Sequence, residues 1–416
     1  MNARIVTIGD ELLIGQVVNT NQAFIARRLG AIGVDVAAMA TVGDTLDDII
    51  GALRGAWESS DVTVVTGGLG PTHDDITRKA VCAFFGTDLV PDEEVRRHIA
   101  ALMEKRNLPW TPAAEDQALV PRSARVFPNP LGTAPGLRFG EGRKVMFVLP
   151  GVPYEMMAMV DSSVIPYLAP LAGEQVIRHR TLLTTGIPES FLAAQLGDLE
   201  RLLGSATLAF LPSPSGVRLR ISVRAPTREE ADGIVREVEG RIRAKVSRYI
   251  YGADEEDLET VLGRMLAERH LTIAVAESCT GGLIAHRLTN VSGSSAYFER
   301  GVVTYSDASK TDLLGVSPDL IRTHGAVSRE VAEAMADGMR RAAGTDIGLS
   351  STGIAGPLGG SAAKPVGTVW IGIAGAGSTL ALRFSFGEGR ERVKERASQA
   401  ALELVRRRLL NLEQAR

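Results

Sequence analysis

The chain has 416 residues, of which 45% are hydrophobic and 23% are charged, and its formal net charge at pH 7 is −3. This length predicts two or three domains, and the balanced charge gives no general reason to expect nucleic acid or an anionic membrane as a partner. The two cysteines, Cys82 and Cys279, cannot build a disulfide framework or a zinc-ligand cluster, which favours a reducing compartment.

The N-terminal stretch MNARIVTIGDELL has no long apolar core and no small-residue cleavage site, so we do not expect a signal peptide. No apolar run approaches the ~20 residues that a membrane-spanning helix needs. We therefore expect a cytoplasmic protein that does not bind membranes.

Residues 1–170 alternate strand and helix patterns and are predicted to form one α/β domain. Thr45 is a plausible N-cap for the helix TLDDIIGALRGAWESS, which has acids in its first turn. This alternation predicts a mostly parallel sheet with helices on both faces, which binds ligands at the carboxyl ends of its strands. The predicted strands are ARIVTIG, VDVAAMATVG, DVTVVTGGLG and KVMFVLPG.

Two further segments complete the predicted organisation. Residues 171–252 indicate a small α+β module with one strand, a helix over PESFLAAQLGDLERLLG, a hairpin with a proline-rich loop, and a long charged helix. Residues 253–416 return to alternating strands and helices, which predicts a second α/β domain that ends in a long basic helix.

The segment VVTGGLGPTHDDITRKA, residues 64–80, combines a strand, a glycine turn and a helix start. Glycines let backbone N–H groups approach a phosphate, and a helix N-terminus favours negative charge there. Asp74 and Asp75 suit a divalent cation that bridges protein and phosphate, or else an N-cap followed by a first-turn acid. Asp10 and Glu11 follow another strand and would converge on the same crevice, which favours the metal.

Four motifs in residues 1–170 together resemble the N-terminal domain of the CinA family of competence/damage-inducible proteins, which is similar to the molybdopterin-binding fold. They are GDELLIGQVVNTN, TGGLGPTHDDITRKA, NPLGTAPG and LPGVPYEM. The resemblance implies a metal-dependent ADP-ribose pyrophosphatase that uses Mg²⁺ or a similar cation, or else a binder of a pterin or other phosphorylated ligand without turnover. The expected metal ligands are Asp10, Glu11, Asp74 and Asp75, and the expected substrate-binding residues are Gly67, Gly68, Gly70, Thr72, Asn129 and Gly132.

The segment AESCTGG places two nucleophiles, Ser278 and Cys279, between a strand and a helix. Free N–H groups at that helix start would stabilise an oxyanion. Lys310 follows a strand and begins a helix, where a buried amine with a lowered pKa would serve as the base, with Tyr305 to orient it or to relay a proton. The alternatives are that Ser278 is a helix cap, Lys310 a solvated lysine and Cys279 a small core residue.

Five motifs of residues 253–416 resemble the C-terminal CinA domain, which is similar to nicotinamide mononucleotide (NMN) deamidases. The resemblance implies Ser278 as nucleophile, Lys310 as base, Tyr305 nearby and no metal. Asp307 stands where many relatives have asparagine, and its charge is expected to raise the pKa of the lysine. The motifs are AESCTGG, GSSAYFERGVVTYSDASK, HGAVS, STGIAGPLGG and KPVGTVWIG, and the expected substrate-binding residues are Thr280, Gly281, Gly282, Ser294, Gly353, Ala355 and Gly356.

The middle module resembles the KH-type linker of the same family, but it has no GxxG clamp for RNA, so we expect a spacer and dimer element. The resemblance thus implies a homodimeric hydrolase with two sites, whose partners are ADP-ribose and NMN rather than nucleic acid. The alternative is a non-enzymatic nucleotide- or pterin-binding protein linked to competence.

Overall fold

The computed structural model describes residues 1–70, 76–173 and 176–412. The chain divides into two compact units, Met1–Arg178 with Arg224–Gly233, and His179–Val223 with Ile234–Arg416. Within the described residues, no helix is both long and apolar enough to cross a membrane.

The N-terminal sheet has six strands in the order β2-β1-β3-β8-β7-β6. Strands β1, β2, β3 and β8 are parallel, as predicted, whereas β6 and β7 form an antiparallel extension that the sequence analysis did not predict. Strands β4 and β5 form a separate pair. The strands are β1 (Asn2–Ile8), β2 (Asp35–Val42), β3 (Val62–Thr66), β4 (Leu89–Pro91), β5 (Leu119–Pro121), β6 (Arg125–Phe127), β7 (Gly136–Glu141) and β8 (Lys144–Leu149).

Successive buried residues of each strand point to opposite sides of this sheet, so both faces are apolar. Helices cover both of these faces. Val65 packs in a core with residues of α3, and its neighbour Val64 packs in a second core with residues of α2. The Thr45 hydroxyl accepts a bond from the Asp48 amide, which confirms the predicted cap. The helices are α1 (Asp10–Leu13), α2 (Thr20–Ala31), α3 (Leu46–Ser59), α4 (Thr77–Phe85), α5 (Glu93–Lys105), α6 (Pro112–Gln117), α7 (Pro153–Met159) and α8 (Ile165–Leu168).

The middle module contains a four-stranded sheet in the order β10-β11-β9-β12. The single helix predicted over residues 188–204 is wrong, since Gly197 has a φ of 72° and Asp198 caps a new helix. A left-handed glycine followed by an N-cap ends one helix and begins another. The elements are β9 (Val176–Thr184), α9 (Glu189–Leu196), α10 (Leu199–Leu203), β10 (Thr207–Ser213), β11 (Gly216–Ala225), α11 (Arg228–Val246) and β12 (Ile250–Ala253).

The C-terminal sheet has five strands in the order β14-β13-β15-β16-β17. Strands β13, β14 and β15 are parallel, and β16 and β17 run antiparallel to their neighbours. All five residues of β13 are buried. The elements are α12 (Leu258–Glu268), β13 (Ile273–Glu277), α13 (Leu283–Thr289), β14 (Phe298–Val303), α14 (Asp307–Leu314), α15 (Pro318–His324), α16 (Arg329–Ala343), β15 (Ile347–Gly353), β16 (Thr368–Gly375), β17 (Ser378–Ser385) and α17 (Arg390–Leu409).

The parallel strands of the C-terminal sheet bring three candidate segments to one edge. The loop with Ser278 follows β13, Tyr305 follows β14 two residues after its last residue, and the glycine-rich loop follows β15. Carboxyl ends of adjacent parallel strands form a crevice suited to a ligand. The predicted order of an α/β domain, a small α+β module and a second α/β domain is therefore confirmed.

Candidate functional site

The loop after β13 is held in one conformation by the neighbouring strand β15. The Ser278 amide donates to the Ser351 carbonyl at 2.9 Å, and the hydroxyls of Thr280 and Ser351 lie 2.6 Å apart. Gly281 and Gly282 have φ values of 62° and 95°, a left-handed conformation that glycine adopts without strain. Ser278 is 8% exposed and directly follows the last residue of the buried strand β13.

Glu277 occupies the start of α13. Its carboxylate accepts bonds from the amides of Gly282, Ile284 and Ala285 at 2.9, 3.1 and 2.8 Å. The prediction that free N–H groups at this helix start would stabilise an oxyanion is therefore wrong. A buried carboxylate has taken those donors, because unpaired N–H groups at a helix start need an acceptor.

Two other amides in this loop are not taken by the Glu277 carboxylate. Within the described part of the chain, the backbone N–H groups of Cys279 and Thr280 have no oxygen acceptor. They follow directly after Ser278, the position from which a backbone N–H commonly stabilises the oxyanion formed by nucleophilic attack. Thr280 is 0% exposed whereas Cys279 keeps 5% exposure, so the Cys279 amide is the candidate oxyanion donor in place of the amides of α13.

Cys279 points into the hydrophobic core of the C-terminal sheet. Its side chain packs with residues of α12, β13 and α17, and the residue is 5% exposed. Burial raises the pKa of the Cys279 thiol to about 12, so the thiol is protonated at neutral pH. A protonated core thiol is a poor nucleophile, which supports the interpretation of Cys279 as a core residue.

Lys310 is a fully buried amine at this edge of the sheet, with 1% exposure. Its Nζ donates to the carbonyl oxygens of Thr304, Tyr305 and Ser306 at 3.0, 3.3 and 3.4 Å. The Thr304 amide in turn donates to the Glu277 carbonyl at 2.8 Å, which joins the lysine to the residue before Ser278. No direct bond joins Ser278 to Lys310 in the part of the chain that the structure describes.

Burial lowers the pKa of Lys310, because removal from water disfavours the charged ammonium. Asp307 acts in the opposite direction from an Oδ1–Nζ distance of 4.0 Å, as predicted from the sequence. The desolvation is the larger of the two effects, and the net direction is downward. The alternative of a solvated surface lysine is therefore wrong.

Tyr305 contributes to the site through its backbone and its hydroxyl separately. Its carbonyl accepts from Lys310, whereas its ring is 60% exposed and its hydroxyl accepts from Arg390 Nη2 at 2.8 Å. Arg390 Nη1 also donates to the Gly356 carbonyl at 3.0 Å. Arg390 thus links the tyrosine to the glycine-rich loop after β15, and the role of the Tyr305 hydroxyl in orienting Lys310 stays a prediction.

A second cation of α17 lies above the Ser278 loop. Lys394 Nζ is 3.6 Å from the position that a Cβ on Gly281 would occupy. Among the described residues, Lys394 has no hydrogen bond or ion pair. Arg390 and Lys394 are four positions apart on one helix, so they present positive charge on one face beside this loop.

The remaining predicted substrate-binding residues of the C-terminal domain do not all lie at the candidate site. Gly353 ends β15, where a Cβ would lie 2.7 Å from the Thr368 carbonyl oxygen, and Ala355 is buried at 5% exposure in the loop that follows. Ser294 begins a short 3₁₀ turn before β14, at the amino end of the parallel strands and so at the opposite edge from Ser278. The fold brings the glycine-rich loop to the candidate site, but it does not bring Ser294 there.

The N-terminal unit has its own cleft of about 450 Å³ at the carboxyl ends of its strands. A Cβ on Gly67 would collide with the Ile8 carbonyl, and Gly68 has a φ of 63°, so both positions require glycine. The described lining contains two carboxylates and neither lysine nor arginine. The predicted residues in its wall are Glu11, Gly67, Gly68 and Gly70.

Asn129 and Gly132 are organised around a carboxylate that the sequence analysis did not single out. Asn129 Nδ2 donates to Glu155 Oε2 at 2.7 Å, and its Oδ1 accepts from the amides of Leu131 and Gly132, both at 3.1 Å. A Cβ on Gly132 would collide with the same carboxyl group. Glu155 lines the cleft and is 8% exposed, so Asn129 and Gly132 position it there.

The predicted metal ligands divide into two groups. Glu11 lines the cleft, whereas Asp10 Oδ1 accepts from the Asp44 amide at 3.2 Å and is not in the cleft wall. Asp74 and Asp75, with Thr72, lie outside the described residues. Carboxylates suit a hard divalent cation, so the chemistry of Glu11 fits one. The described residues contain no group of three or more acidic, histidine or cysteine side chains arranged to hold a metal.

Sequence reasoning missed Glu277, Arg390, Lys394 and Glu155. Glu277 and Glu155 lie inside the quoted motifs AESCTGG and LPGVPYEM, where an acid at a strand end or a helix start was the available signal. Arg390 and Lys394 belong to a helix rich in basic residues, in which no local pattern distinguishes a site cation from a solvated one.

Comparisons with known protein families match most of the chain in three parts. Residues 4–170 match a probable molybdopterin binding domain, residues 179–252 the KH domain of damage-inducible protein CinA, and residues 255–409 the CinA C-terminal domain. A CinA-like protein of Salinibacter ruber is 47% identical over 412 residues, which cover 98% of this chain and 100% of that protein.

Two further proteins extend the comparison. A putative competence-damage inducible protein of Caldicellulosiruptor bescii is 43% identical over 411 residues, which cover 99% of this chain and 100% of that protein. The crystal structure of a CinA protein of unknown function from Thermoplasma acidophilum is 41% identical, covering 40% of this chain and 97% of its own, with a TM-score of 0.37.

Proposed function

The chain belongs to the CinA family of competence/damage-inducible proteins, and we propose that it is a hydrolase of pyridine-nucleotide fragments with two separate sites. The C-terminal site deamidates NMN to nicotinic acid mononucleotide and ammonia. The N-terminal site hydrolyses ADP-ribose to AMP and ribose 5-phosphate. Both substrates are fragments of NAD, which gives a reason to join the two sites in one chain.

One observation supports the amidase most directly: Lys310 is a buried amine with a lowered pKa, linked through Thr304 to the strand end that presents Ser278. A lysine that serves only as a surface charge has no need of burial. A lysine that accepts a proton must spend time neutral, and burial favours the neutral form.

The chemistry divides into two steps. Ser278 Oγ attacks the amide carbon while Lys310 Nζ takes the hydroxyl proton, and the amide of Cys279 donates to the oxyanion. The carbon–nitrogen bond then breaks, and the proton on Lys310 passes to the leaving group, which departs as ammonia. A water molecule attacks the resulting ester, its proton passes through Lys310 to Ser278 Oγ, and nicotinic acid mononucleotide is released.

The two α17 cations account for recognition of the nucleotide. Arg390 and Lys394 present positive charge beside the Ser278 loop, and NMN carries a phosphate. A point charge such as lysine and a planar donor such as arginine are the usual partners of phosphate oxygens. We assign the phosphate to Lys394, because it alone of the pair has no partner among the described residues.

The diphosphate is negatively charged, and the described wall of the cleft is acidic. The N-terminal reaction therefore requires that the diphosphate charge be neutralised or that a cation bridge the diphosphate and the protein. A divalent cation, once bound, would polarise the phosphoryl group. Glu11, with Asp74 and Asp75, would hold that cation, and the backbone of the Gly67–Gly68 turn would contact phosphate oxygens.

Each of the two proposed activities is tested by its own experiment. Incubation of the full chain with NMN should release ammonia, and a binding protein without activity would release none. Incubation with ADP-ribose should yield AMP, should stop when a chelator is added and should recover with excess Mg²⁺. Cleavage that persists in the chelator would contradict the metal role while leaving the amidase untouched.

A further inference from the structure

A buried carboxylate next to Ser278 takes no part in the two steps proposed above. Glu277 is the last residue of β13 and is 1% exposed. Its carboxylate accepts from the amides of Gly282, Ile284 and Ala285 at the start of α13. The side chain therefore spans the loop of residues 278–282, from the strand that precedes this loop to the helix that follows it.

The cap of α13 differs from those of three other helices in the C-terminal domain. Helices α12, α14 and α16 are capped by the residue directly before the helix, which is Asp257, Ser306 and Ser328 respectively. Such a local cap satisfies only the first turn of its own helix. In α13 this position is Gly282, and the cap comes from Glu277, five positions earlier. A cap from the strand end fixes the helix start relative to the strand, and so restricts the loop between them.

The loop that is restricted in this way carries reacting groups of the proposed amidase. Ser278 supplies the hydroxyl, and the Cys279 amide is the candidate oxyanion donor. The main chain of Glu277 leads to the base as well. Its carbonyl accepts from the Thr304 amide at 2.8 Å, and the Thr304 carbonyl accepts from Lys310 Nζ at 3.0 Å. Glu277 is therefore bonded both to the far end of the nucleophile loop and to the residue that holds the lysine.

We propose that Glu277 is a positioning residue, which holds the Ser278 hydroxyl and the Cys279 amide in place relative to Lys310 through the loop that it closes. This inference rests on the amidase activity proposed above. Glu277 acts through the loop and not on the substrate, so its loss should lower kcat and leave KM nearly unchanged. A displacement of about 1 Å in a reacting group can cost about a hundredfold in rate.

The test uses Glu277→Gln in the full-length protein. The glutamate uses Oε2 for Gly282 and Ile284 and Oε1 for Ala285. Glutamine has nearly the same size, but it replaces one of these oxygens by an NH₂ group that cannot accept, so at least one bond is lost. We expect kcat for NMN, measured by ammonia release, to fall about tenfold to a hundredfold, and KM to change by less than about twofold.

Asp257 provides a matched control, because it is a carboxylate that caps another helix of the same domain. Its Oδ1 accepts from the Thr260 amide at 2.7 Å at the start of α12. Asp257→Ala should lower the melting temperature through loss of this cap, but it should keep kcat for NMN. If Glu277→Gln fails to fold, Glu277→Asp retains the charge on a shorter side chain, and the same fall in kcat is expected.

A second measurement does not depend on turnover of NMN. Phenylmethanesulfonyl fluoride labels a reactive serine when the serine oxygen displaces fluoride from sulfur and the hydroxyl proton is lost. The extent of labelling at Ser278 is followed by mass spectrometry. Glu277→Gln should be labelled about tenfold or more slowly than the wild type, and Asp257→Ala at the wild-type rate.

The outcomes separate this inference from the proposed amidase activity. A lower kcat and slower labelling in the Glu277 variant, with both unchanged in Asp257→Ala, support the inference. Slower labelling of the Glu277 variant supports it even if the wild type releases no ammonia from NMN, a result that contradicts the proposed activity alone. An unchanged kcat, equal labelling rates, no labelling of wild-type Ser278, or an equal loss in Asp257→Ala overturns it. Failure of both Glu277 variants to fold overturns it as well, because Glu277 would then serve the fold alone.

Discussion

At the scale of single residues, the adjacent pair Ser278 and Cys279 shows how a fold decides between two nucleophiles. Successive residues after a strand point in different directions, and here the thiol enters the core while the hydroxyl stays at the strand end. The thiol is intrinsically more reactive, but only as a thiolate, and burial holds its pKa at about 12. Under the proposed function, burial of the thiol therefore leaves Ser278 as the nucleophile.

The first prediction follows from that selection. Ser278→Ala should reduce NMN deamidation by about a thousandfold or more, since loss of a nucleophile removes several powers of ten in rate. Cys279→Ala should retain most of the activity and lose some stability from the cavity it leaves in the core. Ammonia release measures the activity of each variant, and thermal unfolding measures its stability. An active Ser278→Ala with an inactive Cys279→Ala would make this a thiol enzyme.

The second prediction concerns the pH dependence of deamidation. Asp307 raises the pKa of Lys310, so Asp307→Asn should lower that pKa further. Because the lysine acts as a base only when neutral, the acid limb of kcat/KM against pH should move to lower pH. The shift should shrink at high salt, since the Asp307 side chain is 63% exposed.

Asp312 is the matched control for this experiment, because it is an exposed acid of the same helix α14. Asp312→Asn changes the net charge equally and should leave the profile in place. An unchanged profile in Asp307→Asn would mean that another group sets the acid limb.

At the scale of secondary-structure elements, features set by neighbouring residues could be predicted from the sequence. Features set by contacts between residues far apart in the chain could not. The cap at Thr45 and the parallel strands follow from sequence alone, as does the loop that presents Ser278. The antiparallel strand β6 has three residues and gains its pairing from β7, which no short window can show. The use of Glu277 as an internal cap likewise depends on how the loop folds back on the strand.

Helix α17 gives the third prediction. Arg406, 3% exposed in its side chain, binds Glu403 at 2.7 Å and donates to the Arg248 carbonyl at 2.6 Å. Burial raises the pKa of Glu403, and Arg406 opposes that rise. Arg406→Leu should destabilise the fold by about 3 kcal/mol, because it leaves a buried carboxyl without its partner. Chemical denaturation measures the loss.

The direction in which the destabilisation by Arg406→Leu changes with pH follows from the pKa of Glu403. In Arg406→Leu the folded-state pKa of Glu403 lies still further above its unfolded value, so stability is retained at low pH and lost as pH rises through the folded pKa. The destabilisation should therefore be greater at pH 8 than at pH 5. The double variant Glu403→Leu with Arg406→Leu should recover much of the loss, and equal destabilisation at both pH values would contradict a buried charge as its cause.

At the scale of the whole molecule, the division into units differs from the division into domains that the sequence suggests. The KH-like module and the C-terminal domain largely share one compact unit. Within it, Arg406 of α17 bonds to the Arg248 carbonyl before β12, and Gln399 bonds to Thr185 after β9 at 3.2 Å. These long-range bonds between elements far apart in sequence are what single-sequence patterns cannot show.

The fourth prediction compares two fragments on this basis. A fragment of residues 253–416 contains Ser278 and Lys310 and should deamidate NMN. It lacks the Arg248 and Thr185 partners of α17, so it should melt at a lower temperature than a fragment of residues 179–416. The longer fragment should unfold in one cooperative transition with equal calorimetric and van't Hoff enthalpies. Two separate transitions would show that the module and the C-terminal domain fold independently, and an inactive short fragment beside an active long one would mean that the module also shapes the Ser278 site.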